Sequence, residues 1–190
     1  MRIHKLSAAI AMGVAALGLS ACEQSINTTV SRYQAMPAPQ GQTFFVVPAG
    51  GLANNGGLEF QRFAGIVAQQ LQARGYSPAT NAQSANMIVQ FGYGIDHGQM
   101  VYVDDPFWYG GGINSYVEYH SQIDLHIRAA GTNAPLFDGR AQARSDTNRL
   151  DIVVPSLVDA MFTNFPGQNG ETVKITIPAR NIHGQPTAKY

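Results

Sequence analysis

The chain's single cysteine closes the run Leu19-Ser20-Ala21-Cys22. A large apolar residue, two small ones and then cysteine form a bacterial lipobox. The chemistry needs each part. The thiolate is the nucleophile that accepts a diacylglyceryl group. Small flanking side chains let a peptidase reach the bond before Cys22. The preceding residues suit this role, since Arg2 and Lys5 are basic and Ala8 to Leu19 is an uncharged apolar run. That run is too short for a hydrocarbon core of roughly 30 Å, which takes about 20 apolar residues. Residues 1–21 therefore read as a lipoprotein signal peptide and 22–27 as a lipidated tether. Three acyl chains, palmitate among them, make such an anchor stable where one alone is marginal. Glu23 stands where an Asp tends to retain enteric lipoproteins in the inner membrane. The expected location is the cell envelope, with the protein held by lipid in the outer membrane and facing the periplasm.

A second chemical feature is the stretch Val101 to Gly110 within a Gly-rich segment, Asp96 to Asn114, that reads as a loop. It holds Tyr102, Phe107, Trp108 and Tyr109. Trp and Tyr are enriched at binding hot spots, stack on sugars and sit well at membrane interfaces. The expected role of these four residues is contact with another envelope component. A glycan or peptidoglycan ligand is the alternative, and a third reading has Trp108 folded back as a cap over a sheet edge.

Other constellations carry less. His120, Asp124 and His126 share one face of an expected strand. His120 and His126 lie about 20 Å apart at roughly 3.3 Å per residue, so they cannot share one ion. Asp96, His97, Asp104 and Asp105 are the remaining metal candidates, and no metal or other cofactor is expected. Gly51 to Leu58 lies between strand and helix, as phosphate loops do, but Gly57 and Leu58 stand at the Lys and Ser/Thr positions. No Gly-x-Ser-x-Gly elbow occurs, and no acid pair has a glycosidase context. The reading is a non-enzymatic module, with a periplasmic hydrolase as the least favoured alternative.

Composition agrees with one domain. The 190 residues are 45% hydrophobic and 13% charged, with 12 basic and 12 acidic side chains. No basic excess points to nucleic acid. Cleavage before Cys22 removes Arg2 and Lys5 and no acid, leaving ten basic against twelve acidic residues.

The elements that must position these residues follow from periodicity. Thr28 to Tyr33 reads as a short edge strand and Thr43 to Val47 as a strand closed by Pro48. Phe60, Phe63, Val67 and Leu71 mark a helix over 58–74, which Gly75 ends. Met87 to Ile95 alternates as a strand. Tyr116 to Ala129 and Leu136 to Asp146 form a hairpin, expected to set Arg140 near Asp124 or His126 and Arg144 near His120 or Gln122. A second helix covers 151–165, with Pro155 near its start and Val154, Leu157, Val158, Met161, Phe162 and Phe165 as its stripe. Val173, Ile175 and Ile177 alternate in a last strand. The order β-β-α-β-β-β-α-β predicts an α+β two-layer sandwich. Its sheet should be mostly antiparallel with five or six strands, and both helices should cover one face. The domain is expected over 28–178 and a polar tail over 179–190.

The pattern resembles a known family. The lipobox, the Phe-Phe-Val-Val-Pro strand, Leu-Gln-Ala-Arg-Gly-Tyr at 71–76 and Ser-Ala-Asn-Met-Ile-Val at 84–89 all contribute. So do Leu136-Phe137-Asp138-Gly139-Arg140-Ala141 and Phe165-Pro166-Gly167. Together they are similar to the bacterial lipoproteins of domain of unknown function 4136, over roughly 28–178. That family's hairpin commonly carries Trp where Phe137 stands here. The resemblance implies a periplasm-facing α+β domain and no particular activity.

Overall fold

The structure is a computed structural model that describes residues 25–50, 57–105 and 112–178. In chain order the elements are β1 (Ser25–Gln34), β2 (Thr43–Pro48), α1 (Leu58–Gln72), β3 (Ser77–Pro78), β4 (Met87–Ile95), β5 (Gln99–Asp105), β6 (Gly112–Ala129), β7 (Pro135–Ser145), α2 (Leu150–Phe162) and β8 (Glu171–Pro178). A single 3-10 turn, Ala82–Ser84, precedes β4. The eight strands form one sheet in the order β3-β2-β4-β6-β7-β1-β8, with β5 paired to β6. The architecture is an α+β sandwich, with both helices contributing to one core on one side of the sheet.

Three expectations about the sheet need correction. It has eight strands rather than five or six, and, though mostly antiparallel as expected, it is mixed, because β2 runs parallel to both β3 and β4. A helix joins β2 to β4, and a helical crossover is what parallel neighbours require. β1 is not an edge strand. It lies between β7 and β8 and already begins at Ser25, so Ser25 to Asn27 are strand rather than tether. The segment Asp96 to Asn114 is not a loop throughout, since β5 pairs with the first half of β6.

The core follows the sequence pattern closely. Phe60, Phe63, Val67 and Leu71 are all buried on α1. Phe63 meets Tyr93 edge-on, with ring centroids 5.0 Å apart, and Phe60 packs on Phe91 at 6.3 Å. The helix α2 is buried on nearly every side because it packs on β1, β6, β7 and β8 and also against α1 beside it. Pro155 is its sixth residue rather than part of its first turn, so the missing N–H removes an interior helix bond. Phe165 lies beyond the helix but still stacks on Phe137 and Phe162, each at 4.9 Å. Small residues on β7 admit α2 closely. A Cβ at Gly139 would sit 2.5 Å from the Phe137 ring and 2.7 Å from Met161 Sδ.

One charge is buried in this core. Arg32 follows Ile26, Thr28 and Val30 on the inward face of β1 and is 1% exposed. Its Nη1 donates to Glu171 Oε1 at 3.1 Å and its Nη2 to the Ala160 carbonyl at 3.2 Å. Burial lowers its pKa, and Glu171 opposes that shift.

Candidate functional site

One of the residues singled out from sequence, Tyr102, lies on an arm built from β5 and the outer half of β6. β6 has 18 residues, whereas its pairing with β4 starts only at Ser121. Its first seven residues, Gly112 to Glu118, pair with β5. Between Ile95↔Ser121 and Gln99↔Glu118, the residues Asp96, His97 and Gly98 oppose only Tyr119 and His120. β4 and β5 are thus one long strand interrupted by a bulge, which re-aims a strand.

Two side-chain features hold the bulge. Asp96 Oδ1 accepts from the backbone N–H of Gly98 and from that of His120, both at 3.0 Å. The bond from His120 is the main reason that the Asp96 carboxyl lies below its ordinary pKa. Gly98 has φ +81°, and a Cβ there would lie 2.6 Å from Val117 Cγ1. Glycine satisfies both constraints.

Beyond the bulge the arm is apolar on both faces. Met100, Tyr102, Ile113 and Val117 share the face continuous with the helix side of β6. Val101, Val103 and Tyr116 occupy the other. Tyr102 is 68% exposed and Ile113 70%. Among the described residues, six of the eight exposed large apolar side chains lie on this arm. Natural sheets seldom present such a patch without a partner for it.

Of the expected contact residues, Tyr102 is on β5 opposite Ser115 rather than in a loop. Phe107, Trp108 and Tyr109 lie outside the described residues, as does Cys22. Met100, Ile113 and Tyr116 were not expected to contribute. The alternating valines of Val101-Tyr102-Val103 were their available signal, and the surrounding glycines obscured it.

The opposite face of the sheet is polar. Arg140 pairs across with Asp124, its Nε donating to Oδ1 at 2.7 Å, and Asp124 is 6% exposed beside Gly92. Arg144 stands opposite His120, with its Nη1 3.6 Å from Glu118. Both pairings fall within the expected register. His126 Nδ1 lies 2.6 Å from Asp138 Oδ1. Among the described residues no group of three or more His, Cys, Asp or Glu is placed to hold a metal. No helix among them is long and apolar enough to cross a membrane.

These features define a class: an α+β sandwich with one polar sheet face open and an apolar β-arm that continues two interior strands, β4 and β6. The family model "Domain of unknown function (DUF4136)" matches residues 29–167, and the chain belongs to that family. No curated protein matches the chain in sequence. Among solved structures, a PDZ domain protein from Parabacteroides distasonis is 12% identical with a TM-score of 0.49. That match covers 81% of this chain and 39% of the other. The PelC dodecamer from Paraburkholderia phytofirmans is 14% identical with a TM-score of 0.43, over 70% of this chain and 93% of the other.

Proposed function

We propose that the protein is a lipid-anchored module of the bacterial cell envelope, attached through Cys22, that binds another envelope protein through the β5–β6 arm. The observation that carries this reading is the crowding of Met100, Tyr102, Val103, Ile113, Tyr116 and Val117 onto the arm. A two-stranded ribbon is only marginally stable alone, and a partner that covers its faces supplies the missing burial. Phe107, Trp108 and Tyr109 lie in the sequence between β5 and β6. The outer membrane, facing the periplasm, is the location this reading assigns.

The test is in-cell photocrosslinking with a photoreactive residue at position 102, and separately at 108, in the membrane-anchored protein. A discrete protein adduct at either site supports the reading and identifies the partner. Background adducts at both sites, with the protein folded and anchored, overturn it.

A further inference from the structure

The open face of the sheet carries a groove of about 780 Å³ across β6, β7, β1 and β8. Its floor is two adjacent rows of outward side chains. One row runs His120, Arg144, Thr176, and the next Gln122, Gln142, Lys174. Among the described residues, no carboxylate lines it. Glu118 lies at the margin, 3.6 Å from Arg144 and 3.3 Å from His120, and Asp96 lies 4.0 Å from His120, but the Arg144 side chain is 71% exposed, so water screens its pair strongly. No carboxylate among the described residues lies within ion-pair distance of Lys174.

A neighbouring groove of about 480 Å³ makes the contrast. Its Arg140 is bound to Asp124, and its His126 and Arg128 both face Asp138. One groove is charge-compensated throughout; in the other the carboxylates sit at the margin beside His120 and Arg144, and Lys174 has none among the described residues within ion-pair distance. The rest of that floor is amide and hydroxyl. Such groups both donate and accept, as ring hydroxyls of a sugar do. Gln142 Nε2 donates to Gln122 Oε1 at 3.4 Å and Gln122 Nε2 donates to Asp124 Oδ2 at 3.2 Å, which still leaves each amide a further donor and acceptor position.

We infer that this groove binds a carboxylate-bearing glycan chain lying across the strands. Lys174 and Arg144 take its carboxylates through charge-assisted bonds. Gln122, Gln142 and Thr176 take ring hydroxyls. Neighbouring strands repeat at about 4.8 Å, so a chain crossing them meets fresh donors at regular intervals. An acidic peptide fits less well. Backbone pairing there is open only along the outer edge of β8, which would leave Arg144, Gln142 and Gln122 unengaged, and Ile175, the one large apolar residue among the described lining, packs against the core. This site is separate from the arm.

The experiment is fluorescence anisotropy with the full-length chain and a short labelled oligogalacturonate. A neutral malto-oligosaccharide and polyglutamate serve as comparisons. Saturable binding of the oligogalacturonate is expected, with the neutral sugar weaker. The double variant Lys174→Glu/Arg144→Glu should weaken binding by roughly tenfold or more, since both side chains act through charge. Gln122→Ala/Gln142→Ala should weaken it by a smaller factor. Tyr102→Ser should leave it unchanged, which separates this site from the arm. These positions lie outside the core, and thermal melting checks that each variant is folded. Absence of saturable binding, equal affinity for polyglutamate, or indifference to the charge reversal would each overturn the inference.

Discussion

Arg32 and Arg74 both donate to carbonyls in the last turn of α2. Arg32 reaches the Ala160 carbonyl from the sheet, and Arg74 reaches the Phe162 carbonyl from the end of α1. A helix C-terminus presents unpaired carbonyls and partial negative charge, so cations are favoured there. Arg74 also lies over the Phe162 ring at 4.9 Å. Its pKa is lowered by burial first and by Arg32 second, with Asp159 opposing. The two arginines tie the two helices and the sheet together at one point.

Removing the buried member of this pair should be costly. Arg32→Ala would leave the Glu171 carboxylate without its cation and the Ala160 carbonyl with the Thr163 N–H alone. A loss of about 3 kcal/mol is expected, as for a broken buried ion pair. Urea denaturation measures it, and a loss below about 1 kcal/mol would contradict the assignment.

Gly139→Ala should destabilise the core although it adds only a methyl group. The new carbon would meet the Phe137 ring and Met161 Sδ well inside contact distance. About 1–3 kcal/mol is the usual effect of overpacking. In a double-mutant cycle with Met161→Ala, followed by thermal melting, the two changes together should cost less than the sum of their separate losses, because Met161→Ala empties part of the colliding volume.

The bulge should respond to acid. The Asp96 carboxyl has a lowered pKa in the folded chain, so its contribution is present above the ordinary value of 3.8 and is lost as pH falls through the lower folded value. NMR titration of the Gly98 and His120 amides should show a midpoint below 3.8, absent in Asp96→Asn. A midpoint above 3.8 would refute the staple.

Substitutions on the arm should separate binding from stability. Tyr102→Ser with Ile113→Ser removes two highly exposed apolar side chains, so the melting temperature should stay nearly constant. Partner adducts in the photocrosslinking experiment should fall away. A large drop in melting temperature instead would mean that the arm packs on the body.

Cys22→Ser removes the only thiol that could carry lipid. Metabolic labelling with palmitate should mark the parent chain and leave the variant unlabelled. The variant should also appear in the soluble fraction after cell disruption. Equal labelling of both would refute the lipobox.

Local patterns made much of this fold legible. The stripe Phe60, Phe63, Val67 and Leu71 located α1, and period-two alternation placed Arg140 near Asp124 or His126, of which the register selects Asp124. Pairings between distant segments were less visible. β8 adds to the outer edge of β1 from the far end of the chain, which no local pattern in Thr28 to Tyr33 announces. The parallel β2–β4 pair had a signal, the helix between them. Arg32 had one as well, since it continues the inward alternation of Ile26, Thr28 and Val30. β5 was hidden because glycines flank it, at the bulge on one side and toward the tip on the other.

The bulge at Asp96 to Gly98 makes the body and the arm separable inventions. Side chains beyond it contribute little to the core, so selection can rewrite the outer ribbon while the sandwich stays fixed. Adding or deleting one residue pair toward the tip would change the arm's reach by about 3.4 Å per step. A descendant could then address a new target, and an engineer could transplant a different hairpin onto the same base.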